Sequence, residues 1–215
     1  MFKKTVIDAL KIDIANRLLN IKYRVRGFND YFKFPFDIER PMNSAAKEDF
    51  LETVKILRNL NEKYWLADGT LLGFIREKRF ISHDTDIDFY VDQTFPIDRL
   101  IQEMQGIGMK IGRSLKYRKK YSQVTFYSLN ENIIDFCVWH NNYRGSYTLH
   151  VPEIAKPRVQ PEIYFKSMKS IDCYGVEVCT FEQPELWLEM IYGQEWKTPE
   201  VVKNDWRINI RDLSD

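Results

Sequence analysis

The chain has 215 residues, which fits one domain, or one domain with a small extension, around a sizeable core. Hydrophobic residues make up 44% and aromatics 14%, so the chain is globular and not disordered. Its 32 basic and 31 acidic side chains leave a formal charge of +1, which gives no support to nucleic acid as the main ligand.

Three cysteines, Cys137, Cys173 and Cys179, without CxxC spacing argue against a disulfide framework or a zinc ribbon. Reduced thiols in a cytoplasmic protein are the plain reading. The N-terminal stretch lacks the continuous apolar run of a secretory signal. No apolar run reaches the length of about 18 residues that a membrane span needs.

Val6, Ile7, Leu10, Ile14, Leu18, Ile21 and Val25 recur at helical spacing. Lys3, Lys4, Lys11, Arg17, Lys22, Arg24 and Arg26 occupy other positions, diluted by Asp8 and Asp13. Two readings stay open: a helix docked on the domain, and a helix in peripheral contact with the inner face of a membrane. Residues 28–42 then read as an irregular aromatic connector, so 1–43 forms an N-terminal extension and 44–215 the main domain.

Ser44 reads as the N-cap of a helix running to about Lys63. Tyr64 to Ala67 is a short strand, and Gly69-Thr70 turns into a second helical segment, Leu71 to Glu77. Phe80 to Asp92 is a turn and strand, and Pro96 to Gly106 a helix. Met109 to Gly112, Gln123 to Ser128 and Ile133 to Trp139 read as strands, with a hairpin turn at Asn130-Glu131-Asn132. Ser146 to Val151, Glu162 to Phe165 and Val176 to Thr180 are further strand-like pieces. Glu185 to Tyr192 is a helix capped by Gly193. The order predicts an α+β fold, a mixed β-sheet flanked by helices.

Within this frame the acids at Asp84, Asp86 and Asp88 stand out. In a strand, positions i and i+2 share a face, roughly 6.6 Å apart. Asp86 and Asp88 therefore project side by side, with Ile87 and Phe89 toward the core. Paired carboxylates repel unless a proton or a cation compensates. Mg²⁺ or Mn²⁺, with oxygen ligands, fits the demand. Asp135 lies inside the apolar run Ile133–Trp139, where an unpaired charge is costly. If that strand neighbours the Asp88 strand, three carboxylates meet, as two-metal phosphoryl chemistry uses. The plainer alternative is a solvated turn with Asp135 paired to a base. Gly69 and Thr70 at a helix start offer N–H groups and a hydroxyl to a phosphate, and Arg76, Lys78 and Arg79 could neutralise its charge.

The run Gly69-Thr70-Leu71-Leu72-Gly73, Arg76 and Ile81-Ser82-His83-Asp84-Thr85-Asp86-Ile87-Asp88 resembles the signature of the LicD family, within the nucleotidyltransferase, or polymerase-beta-like, superfamily. That family includes bacterial phosphocholine transferases and fukutin-related ribitol-phosphate transferases. Ile134-Asp135-Phe136 is similar to its D-[IV]-F strand, and residues 188–199 to its closing helix and turn. The family commonly reads Ile-Pro-Trp-Asp-Asp-Asp-Ile-Asp where this chain has Ser82, His83 and Thr85, so the loop and its donor contacts can differ.

The resemblance implies a divalent-metal phosphotransferase. It would move a phosphorylated alcohol, such as phosphocholine, ribitol phosphate or glycerol phosphate, from a CDP-linked donor to a hydroxyl of a surface or capsular glycan. Asp86, Asp88 and Asp135 would hold metal, and Asp135 would also take the hydroxyl proton. Gly69, Thr70, Arg76 and, more weakly, Asp84 would meet the donor. Asp68 reads equally as a turn residue or an acceptor contact. Two further readings are a nucleotidyltransferase using an NTP, and a non-catalytic glycan-binding relative.

Lys116, Arg118, Lys119 and Lys120 interleave with Tyr117 and Tyr121. They read first as an exposed hairpin rim, and otherwise as a contact for donor phosphates, a nucleotide base or an anionic glycan, in which Lys119 takes part. His83, His140 and His150 are too scattered for a zinc site. Trp187, Trp196 and Trp206 read as packing residues.

Overall fold

One parallel strand pair sits inside an otherwise antiparallel sheet and organises the chain. The computed structural model describes residues 28–36, 38–142, 144–150 and 157–199, with residues 14, 17, 18 and 21 near the N-terminus. The strands are β1 (Phe28–Phe32), β2 (Tyr64–Leu66), β3 (Asp86–Asp92), β4 (Lys110–Tyr117), β5 (Lys120–Tyr127), β6 (Ile133–Asn141), β7 (Ser146–Leu149), β8 (Arg158–Pro161), β9 (Met168–Cys173) and β10 (Val176–Phe181). The helices are α1 (Ala46–Leu60), α2 (Asp68–Glu77), α3 (Ile97–Gly106), α4 (Ile163–Lys166) and α5 (Pro184–Tyr192).

The main sheet runs β1-β4-β5-β6-β3-β2, with β7 added to β6 and β8 to β7. β3 and β6 are parallel; every other pairing is antiparallel. β9 and β10 form a separate hairpin. This is the mixed-sheet α+β architecture that the sequence predicts.

Strand alternation divides the sheet into two faces. Ile87, Phe89 and Val91 pair with Ile134, Phe136 and Val138 on one face. Phe50 of α1 stacks on Phe89 at 6.1 Å and on Phe74 at 5.4 Å there. Phe50 is fully buried, and Val54 and Leu57 follow it at the spacing of one helix face. Removing a buried ring such as Phe89 costs about 3–5 kcal/mol. On the other face, Trp65, Tyr90 and Trp139 are fully buried beneath Phe165, Phe181 and Trp187. The C-terminal part of the chain therefore covers one end of that face. The other end carries the acids.

α1 stops at Asn61, whose left-handed backbone (φ 54°) returns its N–H to Leu57 and Arg58 carbonyls. Its start differs from expectation. Ser44 makes no cap; Asn43 Oδ1 instead accepts the Ala45 N–H at 3.0 Å. Residues 28–32, expected in an irregular connector, form an edge strand on β4. Ile163–Lys166 forms a helical turn where a strand-like piece is expected over Glu162 to Phe165. β4 extends to Tyr117 because Arg118 and Lys119, both at positive φ, close a tight turn into β5.

Cys137, Cys173 and Cys179 are free thiols. Among the described residues, no helix is long and apolar enough to cross a membrane. Ile14, Leu18 and Ile21 are helical and exposed, while the rest of the expected N-terminal helix and Trp206 lie outside the described residues.

Candidate active site

The parallel register places Asp88 beside Asp135, with Asp86 one step earlier on the same face. Carboxylate oxygens of the three lie within 4.8 Å of one another. Asp88 and Asp135 are fixed from different directions. The Asp88 N–H donates to Thr70 Oγ1 at 2.9 Å, so the start of α2 is tied to β3. Asp135 Oδ1 accepts from the Thr125 hydroxyl at 2.7 Å, and Oδ2 accepts from Gln123 Nε2. Gln123 Oε1 in turn accepts from Arg113 Nη1 at 3.0 Å. A guanidinium on β4 thus reaches Asp135 through a neutral amide.

The loop before β6 is anchored by a buried acid. Asp49 of α1 accepts from Ser128 Oγ and from Asn132 Nδ2, both at 2.7 Å. This contact sets where β6 begins, and so where Asp135 stands.

The Gly69-Thr70-Leu71-Leu72-Gly73 run has a steric explanation. A Cβ on Gly69 would fall 2.6 Å from Asp84 Oδ2, and one on Gly73 would fall 2.5 Å from the Arg79 carbonyl oxygen. Both glycines let α2 lie against the loop that carries the acids. Asp84 lies in that loop, with its N–H on the Ile81 carbonyl. Its Oδ2 is buried and has no hydrogen-bond partner among the described residues.

Asp68 opens α2 with φ 41°, in the left-handed region. Such strain in a residue other than glycine is often held at functional positions. Its Oδ2 accepts from Tyr90 Oη at 2.5 Å, and its Oδ1 lies 3.8 Å from Arg158 Nη1. Five acids, Asp68, Asp84, Asp86, Asp88 and Asp135, therefore share one neighbourhood.

The protonation chemistry follows from this crowding. Burial, then Asp135 and Asp68, push the Asp86 carboxyl from 3.8 up to about 7. Burial and then Asp86 push Asp84 and Asp88 well above the usual carboxylate range. Burial, with Asp135 next, also raises the Cys137 thiol, which makes it unreactive. Carboxylates that resist ionisation when crowded ionise readily around a cation.

The donor set fits a hard divalent ion. Ligand oxygens at about 2.0–2.6 Å from one ion lie at most roughly 5 Å apart, which the three acids satisfy. The unpartnered Asp84 Oδ2 adds an acceptor beside them.

The structure thus brings Asp86, Asp88 and Asp135 together, with Gly69, Thr70 and Asp84 against them. Thr70 is fully buried and its hydroxyl is engaged by Asp88. Arg76 lies about 12 Å along α2 from Asp68. Its guanidinium bonds Glu77 at 2.6 Å and the Trp196 carbonyl at 3.4 Å. Lys119 sits at the β4–β5 turn, roughly 20 Å along β5 from Thr125. Among the described residues, neither makes a hydrogen bond or ion pair with the clustered acids. His83 is exposed, and His140 and His150 are engaged with the Tyr121 carbonyl and the Tyr117 ring. Sequence reasoning missed Gln123, Thr125, Arg113, Tyr90 and Arg158. The one available signal was alternation, which places Gln123 and Thr125 on a single face of β5.

Comparison with curated proteins gives no match. Among solved structures, the chain is similar to the lincomycin-bound lincosamide antibiotic adenylyltransferase LnuA. Identity is 17% and the TM-score 0.46, over 69% of this chain and 86% of that one. Residues 61–180 match the family described as LicD/FKTN/FKRP, nucleotidyltransferase domain. That span holds α2, β3 and β6, and with them all three clustered acids. The match covers more than half of the chain, which therefore belongs to the LicD/FKTN/FKRP family and carries its nucleotidyltransferase domain, a transferase fold.

Proposed function

We propose that the protein is a divalent-metal phosphotransferase that moves a phosphorylated alcohol from a CDP-linked donor to a sugar hydroxyl of a glycan. The observation that carries this reading is the register pairing of Asp88 with Asp135, with Asp86 beside them, in a chain of this family. Asp86, Asp88 and Asp135 would hold Mg²⁺ or Mn²⁺, which supplies charge neutralisation at the donor phosphates.

In the reaction the acceptor hydroxyl oxygen bonds to the phosphorus that carries the alcohol. The bond from that phosphorus to CMP breaks, and CMP leaves with the electron pair. Asp135 takes the hydroxyl proton. The hydrogen bonds from Thr125 and Gln123 fix its orientation before substrate arrives, so little reorganisation is needed. Thr70 holds the Asp88 backbone in place, and the aromatic layer of Trp139, Phe165 and Trp187 closes one side to water.

A donor screen tests this. The protein is incubated with Mn²⁺ and a sugar acceptor panel, and with either CDP-alcohols or nucleoside triphosphates. Release of CMP from a CDP-alcohol is expected, and Asp88→Ala abolishes it. Pyrophosphate release from a triphosphate, with no CMP from any CDP-alcohol, would overturn the reading in favour of nucleotidyl transfer.

A further inference from the structure

Beyond the acids, the same sheet face carries a cation with unused hydrogen-bonding capacity. Asp86, Asp88 and Tyr90 point the same way on β3, as do Asp135, Cys137 and Trp139 on β6. The row of Tyr90 and Cys137 lies one layer, about 7 Å, beyond the row of Asp88 and Asp135. Arg158 of β8 packs over this next layer. Its Nη1 donates to Tyr90 Oη at 3.1 Å, and its Cζ lies 5.9 Å from the Trp139 ring centre.

The Arg158 side chain is only 10% exposed. A guanidinium has about five N–H donors, and buried ones are normally used. Here Tyr90 Oη is the one hydrogen-bond acceptor among the described residues, and the buried Nε has no partner. The nearest carboxylate, Asp68, comes no closer than 3.8 Å, beyond hydrogen-bond distance. Asp68 is also bonded to Tyr90, so the three residues form a braced unit that orients the guanidinium.

Arg158 also shares surroundings with the acids. Tyr192 on α5 is 42% exposed as a residue, yet its phenol is raised by local burial, then by Asp68, Asp88 and Asp84, with Arg158 opposing. The chemistry of the region is thus polarised. Carboxylates that need a cation stand one layer from a cation that has donors left over.

We propose that Arg158 forms a phosphate subsite next to the carboxylate cluster and binds a phosphate of the nucleoside-diphosphate donor. The assignment rests on the proposed donor class. Asp68 and Tyr90 act as positioning residues for the guanidinium. A planar donor fork suits a phosphate, and Arg158 stands over the layer next to the carboxylates.

The test compares the wild type with Arg158→Gln and Arg158→Lys, using Mn²⁺ and CDP as probes. Mn²⁺ binding is read by electron paramagnetic resonance, and CDP binding by calorimetry at saturating Mn²⁺. Arg158→Gln is expected to weaken CDP by about 10-fold or more, with Arg158→Lys between the two. Mn²⁺ alone should bind both variants as tightly as the wild type, or more tightly, since a nearby positive charge is lost or moved. Equal CDP affinity in wild type and Arg158→Gln overturns the proposal. So does a parallel loss of Mn²⁺ and CDP, which marks a purely structural arginine. If the wild type binds no CDP, the donor class has failed separately. The comparison is then made with inorganic pyrophosphate, and equal affinity across the variants overturns the Arg158 assignment.

Discussion

Gly69 and Asp84 are in contact: the position a Cβ would take on Gly69 is 2.6 Å from Asp84 Oδ2. Gly69→Ala must therefore rotate Asp84 away or shift the start of α2. Alanine favours a helix over glycine by about 0.5–1 kcal/mol, which offsets part of the steric cost. The expected outcome is a modest change in thermal midpoint with a drop of about 10-fold or more in turnover. Steady-state rates beside a melting curve check it; unchanged turnover would show that the Asp84 position is irrelevant to the chemistry.

Thr70 offers a sharper comparison. Its hydroxyl is buried and accepts the Asp88 N–H. Thr70→Val leaves that N–H without an acceptor and should cost about 1–3 kcal/mol in urea denaturation. Thr70→Ser keeps the acceptor and should lose clearly less. If valine and serine behave alike, the hydroxyl does not hold β3.

Asp86→Asn separates stability from activity. Removing one of several crowded carboxylates should raise the urea midpoint of the cation-free protein. Metal-dependent turnover should fall by about 1,000-fold, a loss of several kcal/mol of charge stabilisation. A variant that is both less stable and still active would contradict both roles.

The pH dependence has a definite sign. Folding raises the Asp86 carboxyl from 3.8 to about 7. Between those values the folded state holds more protons than the unfolded one, so stability falls as pH rises from about 4 to about 7. Asp84 and Asp88 shift in the same direction. In EDTA the wild type should lose more stability than Asp86→Asn across that window. Added Mn²⁺ should shrink the loss, because a bound cation favours the ionised form. Equal slopes for both proteins in EDTA would show that Asp86 is not shifted by its neighbours.

Much of this organisation is legible in the residues because it is local. The i and i+2 spacing of Asp86 and Asp88 fixes their common face. The apolar run around Asp135 marks a buried strand. What sequence leaves open is partnership. Nothing local says that β6 lies parallel to β3, so the meeting of Asp88 with Asp135 is only a conditional expectation. Thr70 reads as a phosphate contact because a hydroxyl at a helix start suits an anion; its engagement with Asp88 depends on the packing of α2 against β3. Arg158 looks like an ordinary strand residue, and only the fold shows it over Tyr90 and Trp139. The connector before Pro35 reads as irregular because an edge strand needs its neighbour β4 to become visible.

The parallel pairing of β3 with β6 also constrains how the protein must be made. A hairpin can form as soon as its two strands exist, but this pair is separated in the chain by α3, β4 and β5. Such distant pairings carry a loop-closure cost and form slowly. A nascent chain that has reached only β3 carries Asp86 and Asp88 without their partner. The ability to capture a cation is therefore expected to switch on abruptly, when β6 docks, and not to grow with each added element.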